Sequence, residues 1–255
     1  VTASATVRLL LTVFGQPSGA ISVASTAKSV ASSSGANKVC ILVLDPAAPQ
    51  ALLVNSGVAL NSTNCQIDVV STGSPAAVFN SGDVFNIPKI CVKGVNTIQN
   101  GGSVGVLSTG CTPASDPFAG ALPTVAVGGC TVSNQNYAGN NTLSPGVYCG
   151  TFNFNGTGSL TLNPGLYVFN NAHWNLNSGW TISGTGVTFY FADSNSYIQI
   201  NGGASMNVAA PTSGTYANIL MFEPGGLAKS AYTINGSNGH QLNGLIYQPS
   251  RNLTF

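Results

Sequence analysis

The runs Pro145-Gly146-Val147-Tyr148-Cys149 and Pro164-Gly165-Leu166-Tyr167-Val168 decide the reading of this chain. In each, a Pro-Gly pair precedes a short apolar strand. Pro fixes φ at one corner and Gly accepts positive φ at the next, which makes a turn. Looser copies follow at Thr185-Gly186-Val187-Thr188-Phe189, Ala217-Asn218-Ile219-Leu220-Met221 and Asn243-Gly244-Leu245-Ile246-Tyr247, at irregular but comparable intervals. Second strands such as Gly158-Ser159-Leu160-Thr161-Leu162 and Gly179-Trp180-Thr181-Ile182-Ser183 stand between them. An irregular recurrence of this kind, with tight Gly and Asn turns, predicts an all-β chain folded as a right-handed parallel β-helix. One turn cannot bury its own inner face and must stack on the next. The alternative, an antiparallel sandwich, would place hairpin turns roughly every 8–12 residues without long-range copies.

Aligning the copies on their turns gives columns. Val147, Leu166, Val187, Ile219 and Leu245 form one, and Cys149, Val168, Phe189, Met221 and Tyr247 form another two positions on; both are expected to point inward. The column between them, Tyr148, Tyr167, Thr188, Leu220 and Ile246, is then expected to point outward although it is largely apolar. Its members Tyr148, Tyr167, Leu220 and Ile246 are the candidate interaction face, covered by the N-terminal segment, a neighbouring domain or another subunit. Equally, register shifts between turns could make the column partly internal.

Upstream, Val1–Val7 and Ile21–Ala27 alternate with period two about a segment containing Gly15, Pro17 and Gly19, which reads as a short hairpin. The expected division is an N-terminal hairpin and linker over residues 1–31 and a parallel β-helix over 32–255. With no initiator Met and a last residue inside an alternating run, the sequence reads as a piece of a longer chain. An open last turn at Phe255 would invite a cap or end-to-end stacking. No run reaches the roughly 18 apolar residues of a membrane span, so any membrane attachment is expected outside these residues.

Charge is scarce. Seven Lys and Arg and six Asp and Glu make 5% of the chain, against about 25% in ordinary domains, and leave a net charge of +1. Scattered cations of that number cannot displace the counterions of a nucleic acid, so that partner is excluded. Disorder is excluded too, because 44% hydrophobic residues supply ample surface to bury. Six cysteines in such a chain suggest an oxidising compartment. Cys91, Cys111, Cys130 and Cys149 recur at nearly equal intervals close to one turn of chain, and Cys40, Cys65 and Cys91 at slightly longer ones. Residues one turn apart stack at about 4.8 Å, within reach of a disulfide. Sequential pairing, Cys40–Cys65, Cys91–Cys111 and Cys130–Cys149, is preferred among the fifteen connectivities. A metal site is not expected, since no Cys-x-x-Cys or His-spaced pair occurs, and no cofactor motif is present.

The one chemically suggestive cluster is His173, Asp193, Glu223 and Arg251, which fall near the same corner of successive copies. Parallel β-helices that cleave polysaccharides use such groups on one outward strip. The preferred reading is that charges sit at turns because exposed turns tolerate them, and no catalytic residue is expected. Five Asn-x-Ser/Thr sequons, at Asn61, Asn140, Asn155, Asn235 and Asn252, carry little weight in a chain with 27 Asn.

Three motifs in order, Cys40-Ile41-Leu42-Val43-Leu44-Asp45-Pro46, Asp116-Pro117-Phe118-Ala119-Gly120-Ala121-Leu122-Pro123 and Leu143-Ser144-Pro145-Gly146-Val147-Tyr148-Cys149-Gly150, resemble the C-terminal region of TadG-like proteins of the Tad (Flp) pilus system. Gly184–Tyr190, Ala210–Gly214 and the opening Val1–Val7 fit the same pattern. The resemblance implies a surface-exposed or periplasmic component that acts in pilus assembly or adhesion through other filament subunits or itself, without a catalytic site. Cys91, Cys111 and the stretch Glu223–Tyr232 depart from the pattern. The Pro-Gly-Val-Tyr turns and the Gly-Leu-Ile-Tyr ending are also similar to bacterial ice-binding β-helices, which use a flat, often Thr-rich face. Thr161, Thr181 and Thr188 do not fall into one column, which disfavours that reading.

Overall fold

Gly, Pro and Asn interrupt every apolar run, so no segment can wind two helical turns and short strands must find partners far along the chain. The computed structural model describes residues 22–24, 38–55, 58–62, 64–234 and 239–254. Among them there is no helix, and every strand pairing is parallel. The strands stack as turns of parallel β-helix, about nine in all over two units, as the recurrence predicts. The chain divides into two units, whose described parts are residues 38–117 and residues 22–24 with 118–254. The first strand, β1 (Ser22–Ala24), belongs to the second unit.

In the first unit, β2 (Lys38–Val43), β3 (Leu52–Val54) and β4 (Ala59–Asn61) make one turn. The next is β5 (Cys65–Val69), β6 (Ala77–Phe79) and β7 (Val84–Asn86). After it come β8 (Ile90–Val92), β9 (Thr97–Gln99) and β10 (Leu107–Thr109). Turn upon turn these build three sheets, β2-β5-β8-β10, β3-β6-β9 and β4-β7, around a core of Val54, Leu60, Ile67, Val69, Phe79, Ile90 and Val92.

The second unit is wound more tightly. β11 (Val132–Leu143) and β12 (Gly146–Leu162) each bend around three faces as single strands. Their corners fall where the register shifts, beside left-handed Asn134 (φ 46°), Gly139 (φ 67°) and Gly150 (φ 82°). A side chain at Gly150 would also collide with that of Asn134, so only glycine fits this corner. The third turn is β13 (Gly165–Leu176) and β14 (Trp180–Thr185). The fourth is β15 (Val187–Phe191), β16 (Tyr197–Ile200) and β17 (Ser205–Ala209). The fifth is β18 (Ile219–Phe222), β19 (Ser230–Thr233) and β20 (Gln241–Asn243), followed by β21 (Leu245–Tyr247) and β22 (Arg251–Thr254). The first face carries β15, β18 and β21, the second β16, and the third β14, β17 and β20.

β1 pairs in parallel with β20, Val23 in register with Leu242. Ser22–Ala24 is the described part of the second thread of the hairpin expected from the sequence. The rest of that expected hairpin, and its boundary at residue 31, lie outside the described residues.

Stacked amides tie successive turns together. Asn175 Nδ2 donates to Asn153 Oδ1 (3.2 Å) and Asn153 Nδ2 to Asn136 Oδ1 (3.0 Å). Asn201, Asn177 and Asn155 repeat the arrangement at 3.1 and 3.3 Å, and Asn100, Asn80 and Asn55 do so in the first unit at 2.8 and 3.4 Å. The abundance of Asn thus has a structural use: each amide both donates and accepts along the stacking axis.

Three disulfides, Cys40–Cys65, Cys91–Cys111 and Cys130–Cys149, join neighbouring turns in the sequential pairing expected. Such bridges fit an oxidising environment. No described helix is long and apolar enough to cross a membrane.

The column assignment on the first face is corrected. Gly146 registers with Tyr167 rather than with Gly165, and Leu166 with Thr188 rather than with Val187. The first offset is two residues and keeps Tyr148 and Tyr167 on one side, whereas the second is one residue and puts Thr188 on the other. The side that Tyr148 and Tyr167 share is the core. Tyr148 (1% exposed), Tyr167 (0%) and Leu220 (0%) therefore lie in the core, with Ile246 packed against it. The structure places none of these four as an outward interaction face. Trp174 sits among Tyr148, Phe152, Phe154, Tyr167, Phe169 and Phe189, with ring centroids 5.4–6.4 Å away except Phe169 at 4.9 Å. Burial pushes the Tyr167 phenol up to about 12 and raises those of Tyr148 and Tyr232 as well.

Candidate functional site

Several of the scarce charges are engaged in holding the backbone. Arg251 Nε donates to Glu223 Oε2 at 2.7 Å, with both side chains at 0% exposure. The same guanidinium donates through Nη2 to Asp193 O (2.7 Å) and through Nη1 to Ser194 O (3.1 Å), while Ser250 N donates to Glu223 Oε1 (2.7 Å). Asp193 accepts from Asn171 N (2.6 Å), Asn195 N (2.9 Å) and Ser196 Oγ (3.0 Å). Asp193, Glu223 and Arg251 are thus brought together at one corner, as their spacing suggests, and staple successive turns. The Glu223 carboxylate faces Arg251 and Ser250 rather than a groove. His173 stands apart on the second face, where its Nε2 lies 2.9 Å from Thr151 Oγ1 and its ring stacks on Tyr197 at 5.1 Å.

Three further carboxylates, of Asp68, Asp45 and Asp83, also accept hydrogen bonds from the chain. Asp68, 1% exposed, accepts from Gln66 Nε2 (2.6 Å) and Ala114 N (2.7 Å). Asp45 accepts from Ala47 N and Ala48 N (both 2.9 Å), and Asp83 from Val58 N (3.1 Å). No group of three or more His, Cys, Asp or Glu suited to a metal occurs among the described residues.

Two outer faces of the second unit remain, and they differ sharply. On the third face, pairing runs without register shift from β12 through β14 and β17 to β20. Leu160, Ile182 and Met206 point inward, each 0% exposed. Their neighbours make two outward columns, Asn140–Ser159–Thr181–Ser205 and Thr142–Thr161–Ser183–Asn207–Gln241. All are small or uncharged hydrogen-bonding residues, about 4.8 Å apart between turns and about 7 Å apart along a strand. Ser159 Oγ donates to Asn140 Oδ1 (2.9 Å) and Ser205 Oγ to Thr181 Oγ1 (3.2 Å). Thr161 and Thr181 thus stand in different columns but on one face. Thr188 is buried on the first face and donates to Ile219 O at 2.8 Å. Copy-by-copy alignment misses this array because its strands follow the weaker turns at Gly158, Gly179 and Gly203.

The first face is apolar outside as well as inside. Val147, Val168, Tyr190, Phe222 and Tyr247 form one outward column across successive turns. Residues 118–126, which carry no regular strand, lie over it. Leu122 and Val125 pack on the cluster of Val168, Tyr190, Ile219 and Phe222, and the Phe118 ring meets Tyr247 edge-on at 5.8 Å. The apolar outer column is therefore covered by the chain's own strap.

No protein-family model, curated protein or solved structure matches the chain. The functional reading rests on the sequence motifs and on this geometry.

Proposed function

We propose that the chain is an extracellular, non-catalytic β-helical module of a bacterial Tad/Flp-type pilus or surface filament, acting in assembly or adhesion through protein contacts. The observation that carries this reading is the use of the carboxylates and of Arg251 as backbone staples. Buried groups engaged in that way, Glu223, Arg251 and Asp68, are poor acids, bases or nucleophiles, and what the module offers to partners is shape and neutral polar surface. The three disulfides and the ordered motif resemblance from Cys40 to Gly150 support an exported, filament-associated role. Labelled antibody against the module, followed by electron microscopy of the producing cells, tests it. Decoration of filaments or their bases is expected. A module found free of any filament, whose deletion leaves filament number and adhesion unchanged, overturns the reading.

A second reading, ice binding, is favoured by the third-face array, which repeats neutral hydrogen-bonding groups in two directions without a charge or an aromatic ring. Thermal hysteresis that disappears in Thr161→Tyr would support it. Freezing at the equilibrium melting point, at high protein concentration, removes it.

A further inference from the structure

We propose that strand β1 is exchangeable between copies of this chain: the Ser22–Ala24 strand of one copy closes the β20 edge of a second copy and so links the two by strand addition. The proposal rests on the filament reading for its setting, since it names a second copy as the partner, while its physical basis is strand pairing alone.

Three observations support this. First, β20 is paired on both sides. Gln241, Leu242 and Asn243 register with Asn207, Val208 and Ala209 of β17 and, opposite, with Ser22, Val23 and Ala24 of β1. β21 and β22 follow β20 in sequence, yet the third-face place beside β20 goes to a strand that precedes β2. No turn of the β-helix joins that strand to its partner.

Second, the pairing has one register. Thr161, Ser183, Asn207 and Gln241 make an outward column, and Ser22 stands at its next register position. Leu162, Val208 and Leu242 are buried in the column beside it, and Val23 stands next in that one. The alternation Ser22-Val23-Ala24 thus matches the pattern of the face, and a slip of one residue would reverse it.

Third, among the described residues β1 pairs with β20 alone, over three positions. So short a strand opens locally at small cost, and the contacts it leaves are remade when the same strand of another copy arrives. Residues 25–37, which join β1 to β2, are rich in Ser. A tether of that length and composition gives β1 an effective concentration on the order of 1 mM at its own edge. Copies crowded to a comparable concentration compete for that edge. Donor strand and acceptor edge belong to the same chain, so exchange continues from copy to copy unless a ring closes.

Disulfide trapping in the intact chain tests this. Facing residues of neighbouring parallel strands stand about 4.8 Å apart, within reach of a disulfide. One full-length variant carries Ser22→Cys and another Gln241→Cys, and the two are mixed at rising concentration under mild oxidation. A 22–241 bridge between copies is expected, mapped by mass spectrometry with the three native bridges intact, and its yield should rise with concentration. Asn207→Cys is the control, exposed in the same column but one strand further off. At about 9.6 Å it should cross-link to Ser22→Cys about tenfold less. A 22–241 bridge that forms within the double variant but never between the single variants overturns the proposal, as do equal yield with the control and absence of any such bridge.

Val23→Pro is the second arm and adds no cysteine. Proline removes a backbone donor from β1 and weakens its pairing with β20. In sedimentation equilibrium the unaltered chain should at least double its weight-average mass as concentration approaches about 1 mM, while Val23→Pro stays monomeric. Equal association of both, or a monomeric unaltered chain, overturns the role of β1. Filament labelling on cells without a 22–241 bridge overturns strand exchange alone, and the bridge without labelling overturns the filament reading alone.

Discussion

The Arg251 guanidinium reaches back from β22 to the Glu223 carboxylate at 2.7 Å and to the Asp193 carbonyl at 2.7 Å, out of contact with solvent. One cation thereby ties three turns at a single corner. The corner that looked most like an acid–base site from its residue types is a buried staple.

Removing one partner of that staple strands the other. Arg251→Met leaves the Glu223 carboxylate desolvated and uncompensated, and is expected to cost about 3–5 kcal/mol in denaturant unfolding. Replacing both, Glu223→Leu with Arg251→Met, should recover much of the loss. A double variant no more stable than the single one would show that the pair is not the source of the cost.

Tyr148 separates a core role from a surface role. Its ring stacks on Tyr167 at 5.7 Å and its hydroxyl donates to Ser144 O at 2.6 Å. Tyr148→Ala should therefore destabilise the fold by about 3–5 kcal/mol. A change near zero, accompanied by lost partner binding, would reinstate it as a contact residue.

Asn175→Ala removes the donor to Asn153 on the second face and should cost about 1 kcal/mol. Asn175→Asp keeps the shape while removing the donor, and should cost as much or more. Thermal unfolding of the three proteins side by side checks this ordering.

Alkaline unfolding follows from the buried phenols. Tyr167 has its folded value pushed from 10.0 up to about 12 by burial, so its proton is held more tightly in the folded state than in the unfolded chain. That contribution is fully present below about pH 10 and is lost as pH rises toward 12. Absorbance at the phenolate band should lag behind that of free tyrosine and then rise together with loss of near-ultraviolet circular dichroism. Early ionisation of all eight tyrosines without unfolding would contradict the burial.

The stacking of turns was legible because Pro145-Gly146 and Pro164-Gly165 announce corners, and cysteines set about one turn of chain apart announce neighbours. The disulfide pairing followed from the same spacing. The inside and outside of the first face were not legible. Turn lengths before Tyr148, Tyr167 and Thr188 differ by a residue or two, and side-chain direction depends on their parity. The strap was illegible for another reason: Phe118, Leu122 and Val125 follow no period, and their partners lie from Val168 to Tyr247 along the chain.

By itself the sequence determined the class of fold, since only a stacked helix of parallel strands can use so many short apolar runs, glycine corners and amides with so little charge. It also set the disulfide partners, because one turn of chain brings consecutive cysteines together. The tertiary structure alone decided which side of each strand faces the core. It also turned His173, Asp193, Glu223 and Arg251 into corner staples and a stacked partner, and laid one strand-free segment across an apolar face. These outcomes depend on register and on contacts between residues tens of positions apart, where a one-residue shift in a turn reverses what a side chain meets.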